Sequence, residues 1–251
     1  MPFAPLVNNA MRKRADIVLV ERGFFSSRAR AQAAIAAGLV SVGGVALKKA
    51  SEEVAGDAPI EAEAPHPWAS RGGIKLAGAL DALALDPQGL ACLDIGASTG
   101  GFTDVLLARG AAKVVAIDVG HGQLDPRLAA DPRVRSLEGV DARALTAEML
   151  GERPEAIVID VSFISQRLVL PRVVELAAEQ AWLVSLVKPQ FELGRTDLVK
   201  GRVTSEAALM RACDAVRAAI EAQGWTVLGL IPSPILGGAG AREFLIGARR
   251  G

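Results

Sequence analysis

The chain has 251 residues, 51% of them apolar and 22% charged, a balance that sets it among globular proteins and excludes a disordered chain. No run approaches the roughly 18 consecutive apolar residues of a membrane span, so no membrane partner is expected. Charge is balanced at 28 Lys and Arg against 28 Asp and Glu, yet residues 1–60 hold eight basic against five acidic side chains, which points to a polyanion contact near the front.

Residues 1–11 read as a frayed leader without the apolar core of a signal peptide, and a cytoplasmic location is expected. Ile17, Val18, Leu19 and Val20 ahead of Gly23 predict a short helix. Ser26 or Ser27 then caps a second helix running through Ile35 and Ala36 and closed by Gly38. Leu39, Val40 and Val42 alternate into Gly43-Gly44 and on to Val45 and Leu47, a hairpin signal followed by the Lys48-Lys49 pair. Residues 57–67 carry three prolines and read as a strand end followed by a linker. The expected division is a small α+β domain over 12–58, a linker over 59–69 and an α/β domain over 70–251.

From residue 91 onward, apolar strand-like runs alternate with helical segments, the pattern of a mostly parallel sheet covered on both faces. The runs are 91–97, 113–119, 134–140, 156–162, 182–188, 226–232 and 242–248, seven strands in all. No helical pattern separates the last two, so they are expected to pair as an antiparallel hairpin at one sheet edge. A seven-stranded, otherwise parallel sheet with one reversed strand is the shape of Rossmann-like methyltransferases. Cys92 and Cys213 lie inside apolar segments at no metal-ligand or redox spacing and read as packing residues of a reducing compartment; no metal is implied.

The first run leads into Asp94, Gly96, Ala97, Ser98, Thr99 and Gly100, a strand, a glycine-rich turn and a helix start. Glycines there let backbone approach a ligand at the C-terminal edge of the sheet. Ser98 stands where a dinucleotide fingerprint needs glycine, and no Lys-Ser/Thr follows as in a P-loop. What remains is the D-x-G-x-x-x-G pattern used for S-adenosylmethionine. Asp118, ending the second strand, has the carboxylate to accept ribose hydroxyls, and Asp141, after the third, to accept from an adenine amino group. The plainer readings are a tight strand-to-helix turn, a helix cap at Asp118 and a turn residue at Asp141.

Asp160 and Lys188 end two further strands, Lys75 precedes the first, and Glu243 begins the last. A lysine buried beside a carboxylate is either an ion pair or a catalytic device. Lys75, Asp160, Lys188 and Glu243, in this order and placement, are similar to the tetrad of FtsJ-type RNA ribose 2'-O-methyltransferases. The front matches as well: Arg14-x-Asp16-x-x-Leu19, Ser27-Arg28-x-x-Ala31 and Ile35-x-x-Gly38-x-Val40-x-Val42-x-Gly44 resemble the alpha-L RNA-binding domain found in ribosomal protein S-four. With Ser70-Arg71-Gly72-Gly73-x-Lys75-Leu76, residues 160–165 and residues 188–192, the resemblance over about residues 12–250 is to the TlyA (hemolysin A) family of ribosomal RNA methyltransferases. It departs from the family at Ala241 and Gly43, where Asn is usual, and at His66-Pro67-Trp68-Ala69, where Arg-x-Trp-Val is usual.

The resemblance implies S-adenosylmethionine as cofactor and a cytidine ribose 2'-hydroxyl in ribosomal RNA, free or in ribosomal subunits, as target. In that reading Lys188 is the central group, tuned by Asp160 and Glu243, and handles the hydroxyl proton, while Lys75 holds the target nucleotide. Arg14, Arg28, Arg30, Lys48 and Lys49 would contact phosphates, as would Arg12 and Lys13; Phe24 and Phe25 either stack bases or fill the small core. A non-catalytic ribosome-binding or assembly factor would share the fold. An amino-group methyltransferase would carry an Asn/Asp-Pro-Pro-aromatic motif where Asp160-Val161-Ser162-Phe163 stands, and a membrane-lytic protein would need an amphipathic basic or spanning segment that the sequence lacks.

Overall fold

The computed structural model describes residues 12–25 and 27–251, so the leader reading of residues 1–11 and a cap at Ser26 fall outside the described residues. The chain divides between Pro67 and Trp68 into two units, each with its own core.

The first unit runs β1 (Arg12–Arg14), α1 (Ala15–Glu21), α2 (Arg28–Ala36), β2 (Val40–Val42), β3 (Val45–Ala46), β4 (Glu53–Ala55) and β5 (Ile60–Ala62). The Ser27 hydroxyl caps α2 by accepting from the Arg30 backbone N–H. Gly43 and Gly44 both have positive φ, 57° and 78°, the two-residue turn that joins β2 to β3. Val18, Leu19, Phe25, Ile35, Val40, Leu47 and Val54 meet in one cluster, so Phe25 is a core residue. Phe24 stays partly exposed beneath the Arg22 guanidinium, 5.2 Å from its ring centroid.

Two pairings depart from expectation. Basic β1 pairs antiparallel with β4, and Ile60–Ala62, expected in the linker, pairs with β2 as β5. Each is only three residues long and lies beside charges or prolines, so its strand character comes from its partner and not from local pattern.

Asp16 ties the helices together. It is fully buried in the first turn of α1 and accepts from Arg14 Nε and Nη2 at 3.0 and 3.1 Å, from Arg28 Nε and Nη2 at 3.2 and 2.8 Å, and from Gln32 Nε2 at 2.6 Å. Its carboxyl is held far below the usual range, first by Arg14 and then by Arg28 and Gln32, against the opposing effect of burial.

The second unit is a three-layer α/β domain. Its strands are β6 (Ala91–Ile95), β7 (Lys113–Asp118), β8 (Val134–Glu138), β9 (Ala156–Ile159), β10 (Ala181–Val187), β11 (Thr226–Pro232) and β12 (Phe244–Arg250), in spatial order β11-β12-β10-β9-β6-β7-β8. β12 is antiparallel to both neighbours and the pairings among β6 to β10 are parallel, so the hairpin forms the edge with the reversed strand one place in. The helices are α3 (Gly72–Leu83), α4 (Gly101–Ala108), α5 (Pro126–Ala129), α6 (Ala147–Leu150), α7 (Leu170–Glu175), α8 (Pro189–Glu192) and α9 (Glu206–Glu221).

Strand alternation divides the core. Cys92, Val114, Val158 and Val184 pack with Leu76 and Leu80 of α3 and Leu106 of α4, while Leu93, Val115, Ile157 and Leu183 pack with Val173 of α7 and Val216 of α9. Cys92 and Cys213 are free and buried, as packing residues should be. β6, β7, β8 and β9 stop one to three residues short of their expected C-terminal ends, because those residues turn out of the ladder to form the site.

Removing the Asp16 anchor tests the small core. In Asp16→Ala, amides of α1 and α2 should lose about 1–3 kcal/mol of protection in hydrogen exchange at pH 7. Because the folded-state carboxyl titrates lower than the unfolded one, Asp16's contribution is complete above pH ~4 and disappears as pH falls below it, so the two proteins should converge in strong acid.

Candidate active site

The site begins where β6 ends. Gly96 has φ +84°, and a Cβ added there would lie 2.6 Å from the backbone oxygen of Asp160, so the turns after β6 and β9 touch through backbone alone. The N–H groups of Gly96 and Ala97 both donate to the Ile117 carbonyl, at 2.8 and 3.0 Å. Ser98 is held at φ +48°; its N–H donates to Asp118 Oδ2 at 2.8 Å and its hydroxyl to Gln123 Oε1 at 3.0 Å. Gly100, at φ +89°, starts α4, and the Thr99 carbonyl accepts from Asp125 N–H.

Below the turn lies Asp94, fully buried. One oxygen accepts from Thr103 Oγ1 at 2.7 Å, and the other has no hydrogen-bond partner among the described residues. Burial pushes this carboxyl up to about 7, opposed by the Thr103 hydrogen bond.

Around the turn is a cavity of about 700 Å³, whose lining includes Gly96, Ser98, Asp118, Asp141, Asp160 and Phe163. Asp118 already receives two backbone N–H groups, from Ser98 and from Gly120 at 2.7 Å, so its carboxylate braces the glycine turn while facing the cavity. Asp141 is a turn residue as well as a lining one: it accepts from Arg143 N–H and is gripped by the Arg143 guanidinium, with Nη2 at 2.5 Å. That contact holds its carboxyl down to about 2. A second recess of about 270 Å³, lined by Ser70, Arg71, Lys75, Ala97 and Thr99, shares Gly96, Ser98 and Asp160 with the first.

The four tetrad residues assemble as two ion pairs. Lys188 Nζ lies 2.6 Å from Asp160 Oδ1 and donates to Ser162 Oγ at 2.7 Å. Lys75 Nζ lies 2.5 Å from Glu243 Oε2, with both residues buried. The Glu243 carboxylate bonds Lys75, while Lys188 pairs with Asp160 and donates to Ser162, so the two carboxylates of the set are divided between its two lysines. Order along the chain gives membership of a set but not who touches whom. Ser162 was missed as a partner, although its place two residues after Asp160 in a run expected to be strand was a usable signal. The Glu243 loop is shut by backbone, Gly237 N–H to Ala241 O at 2.8 Å and Ala241 N–H to Gly238 O at 3.1 Å, and a Cβ at Gly237 would lie 2.0 Å from Glu243 Oε1. Ala241 thus closes its loop without a side-chain amide.

In the first unit, Asp16 gathers Arg14 and Arg28 and leaves both guanidinium groups about half exposed. Lys48 and Lys49 are exposed side by side, their backbone N–H groups clipped by Glu52 Oε1 at 2.7 and 2.6 Å. Arg30 is half-buried beside the Ser27 cap. Of the two further basic residues, Arg12 donates to the Glu53 carbonyl and Lys13 pairs with Glu21. Asp16, the organiser of this group, was read only as a motif position.

The seven-stranded sheet with its reversed strand, the Gly96 cradle and the acidic strand ends define the class, an S-adenosylmethionine-dependent methyltransferase. The cradle and the 700 Å³ cavity, within the usual range for cofactor sites, fit that cofactor. The family model for FtsJ-like methyltransferases matches residues 68–250 and that for the S4 domain matches residues 13–60. The chain belongs to the FtsJ-like methyltransferase family and carries an S4 domain ahead of the methyltransferase domain.

It is 45% identical to the 16S/23S rRNA (cytidine-2'-O)-methyltransferase TlyA of Mycobacterium tuberculosis, over 96% of this chain and 91% of that one. It is 38% identical to Hemolysin A of Brachyspira hyodysenteriae, over 92% of this chain and 98% of that one. A solved structure from Streptococcus thermophilus that also carries a hemolysin description superposes with a TM-score of 0.77 at 37% identity, covering 95% of this chain and 88% of the other. Among the described residues, no helix is long and apolar enough to cross a membrane.

The buried Asp94 makes a pH prediction. Its folded-state carboxyl titrates near 7, above the unfolded value near 4, so its contribution to stability is complete below pH ~4 and lost as pH rises to about 7. Thermal unfolding of wild type and Asp94→Asn should diverge across that window, the wild type losing midpoint with rising pH relative to the variant; parallel curves would reject the assignment.

Proposed function

We propose that this chain transfers a methyl group from S-adenosylmethionine to the 2'-hydroxyl of a cytidine ribose in ribosomal RNA, free or assembled into a subunit, in the cytoplasm. The observation that carries the reading is Asp160: it lines both recesses and holds Lys188, so a cofactor in the larger cavity and a ribose in the smaller one would meet beside a paired lysine and carboxylate. The cytidine-2'-O-methyltransferase activity of the relative that is 45% identical supports the same target.

Bound S-adenosylmethionine supplies a methyl group already activated by its sulfonium. The Gly96 to Gly100 turn would hold its methionine portion, with Asp118 and Asp141 toward the ribose and adenine. The protein's remaining task is the target hydroxyl, a poor nucleophile at neutral pH. An ion-paired Lys188 has no lone pair to offer, so its ammonium would donate to the 2'-oxygen and steady the negative charge that develops there. Asp160 is the carboxylate placed to receive the proton released as the O–CH3 bond forms. Lys75, kept in place by Glu243, would steady the target ribose or its phosphate in the smaller recess. Alignment of the oxygen with the methyl carbon, about 3–3.5 Å apart, would supply a large part of the rate.

Arg14, Arg28, Arg30, Lys48 and Lys49 would take phosphates of the structured RNA. Arg14 and Arg28 suit the task because Asp16 fixes both guanidinium planes before RNA arrives.

The test is transfer of tritiated methyl to purified ribosomal RNA and to isolated subunits, with the labelled nucleoside identified by mass spectrometry. Ribose-methylated cytidine is expected, with Lys188→Ala slowing turnover roughly 10²–10⁴-fold. Label on a base amine would reject the reading, and cofactor binding without any labelled RNA would favour an assembly factor. In Arg14→Ala/Arg28→Ala, the slope of log affinity against log salt should shrink by about 0.7–0.9 per lost contact. Turnover at saturating RNA should stay near wild type.

A further inference from the structure

Lys188 is bracketed by a buried hydrogen-bond network that includes neither the tetrad nor the cofactor cradle. Four residues after Lys188, at the end of α8, stands Glu192, whose side chain is 1% exposed. Its carboxylate accepts from Ser165 Oγ at 2.5 Å and from Gln166 N–H at 2.8 Å, and lies 3.5 Å from Arg167 Nε. Arg167 Nη2 also donates to the Glu192 backbone carbonyl at 3.1 Å. On the strand side of Lys188, Ser185 Oγ donates to Gln166 Oε1, and Gln166 Nε2 donates to the Leu186 carbonyl; Gln166 and Ser185 are 1% and 0% exposed.

These contacts close a ring. Ser185 and Leu186 lead into Lys188, and Glu192 follows it. The strand side grips Gln166 and Glu192 grips both Ser165 and Gln166, which end the loop that begins with Asp160 and Ser162, the two partners of the Lys188 ammonium. Within the same ring Phe163 is held at φ +66°, a region costly for an aromatic residue, with its ring 5.2 Å from that of Phe191. A buried carboxylate is expensive unless its lone pairs are used, and Glu192 uses its oxygens on one loop alone.

We propose that Glu192, acting through Ser165 and Gln166, is a positioning residue that fixes Lys188 against Asp160 and Ser162. It touches neither cofactor nor target. Its effect reaches the chemistry through the ammonium position, where a displacement of about 1 Å is enough to cost roughly a hundredfold in rate. This inference rests on the role assigned to Lys188 under Proposed function.

The experiment compares the full chain with Glu192→Ala, Glu192→Gln and Ser165→Ala in methyl transfer to ribosomal RNA. Beside it, the Lys188 ammonium is followed by proton–nitrogen NMR, its peak assigned by loss in Lys188→Arg. Glu192→Ala should lower kcat roughly ten- to a hundredfold, with KM for RNA and affinity for S-adenosylmethionine within about threefold of wild type. The ammonium peak should broaden. Glu192→Gln, which keeps an acceptor for Gln166 N–H and a group able to bond the Ser165 hydroxyl, should restore most of both. Ser165→Ala removes the hydroxyl that donates to Glu192 and accepts from Arg167 N–H and Nε, but leaves the Gln166 N–H contact to Glu192, and it covers the case in which Glu192→Ala does not fold; it should show a smaller loss of the same kind. The proposal is overturned by kcat within about twofold of wild type in the folded variants, by a loss that falls on KM or cofactor affinity, or by an equal loss in Glu192→Gln. If the wild type labels no RNA, the proposed function fails by itself, and the ammonium peak alone then decides whether Glu192 positions Lys188.

Discussion

The close approach of two backbone turns, at Gly96 and Asp160, is the constraint on which the site depends. β6 and β9 are neighbours in the sheet, and from them the strand order runs outward in opposite directions, β7 and β8 one way, β10, β12 and β11 the other. Such a reversal opens a crevice at the C-terminal strand ends, because successive crossovers leave on opposite faces. Here the crevice is pinched by a contact that tolerates no Cβ. At the pinch Gly96, Ser98 and Asp160 border both recesses, and Asp160 is the one of them with a charged side chain. Ser98 and Phe163, the two strained non-glycine residues nearest the pinch, both line the larger cavity. Backbone strain therefore collects where ligands would be handled, as it does when surrounding structure holds residues in place for a task.

Much of this arrangement was legible in the sequence because it rests on repeating local signals. Alternating apolar runs produced all seven strands of the sheet and the reversed hairpin, and the glycine turn stood out as Asp94 followed by Gly96 and Gly100. Asp160, Lys188 and Glu243 stood out at strand ends, and Lys75 in the segment ahead of the first strand. Their pairing did not. Glu243 stands next to Lys188 across the β10–β12 ladder, and that its carboxylate bonds Lys75 instead, in the room that Gly237 leaves, is a product of tertiary packing. β1 and β4 escaped notice, and β5 showed only as a strand end, for a similar reason, since three-residue strands carry no period of their own. The strands around the site extend less far than expected because Ala97, Val119, Val140 and Val161 continue the apolar pattern past the point where the chain leaves the ladder.

The S4 domain shows how a chain of zero net charge can present a basic surface. An exposed arginine loses much conformational entropy when it binds phosphate, and that loss weakens binding. Asp16 takes part of it in the folding step: the carboxylate is buried, two guanidinium groups are locked onto it, and their outer edges remain in solvent. On the proposed reading, what would count for RNA is the orientation of Arg14 and Arg28 more than the sum of charges, which composition alone does not carry.

The Lys75–Glu243 pair carries the same logic into the methyltransferase domain. A buried ion pair seldom stabilises a fold more than an apolar pair of equal volume would, since removing two charges from water costs several kcal/mol per ion. Lys75 and Glu243 are both nearly excluded from solvent, with Lys75 lining a recess and Gly237 trimmed to accommodate its partner. Structural economy would favour apolar residues at these two positions. On the proposed reading, a cation maintained beside the Gly96 cradle at that cost makes sense as equipment for an anionic or hydroxyl-bearing ligand, with Glu243 holding the ammonium in place until that ligand arrives.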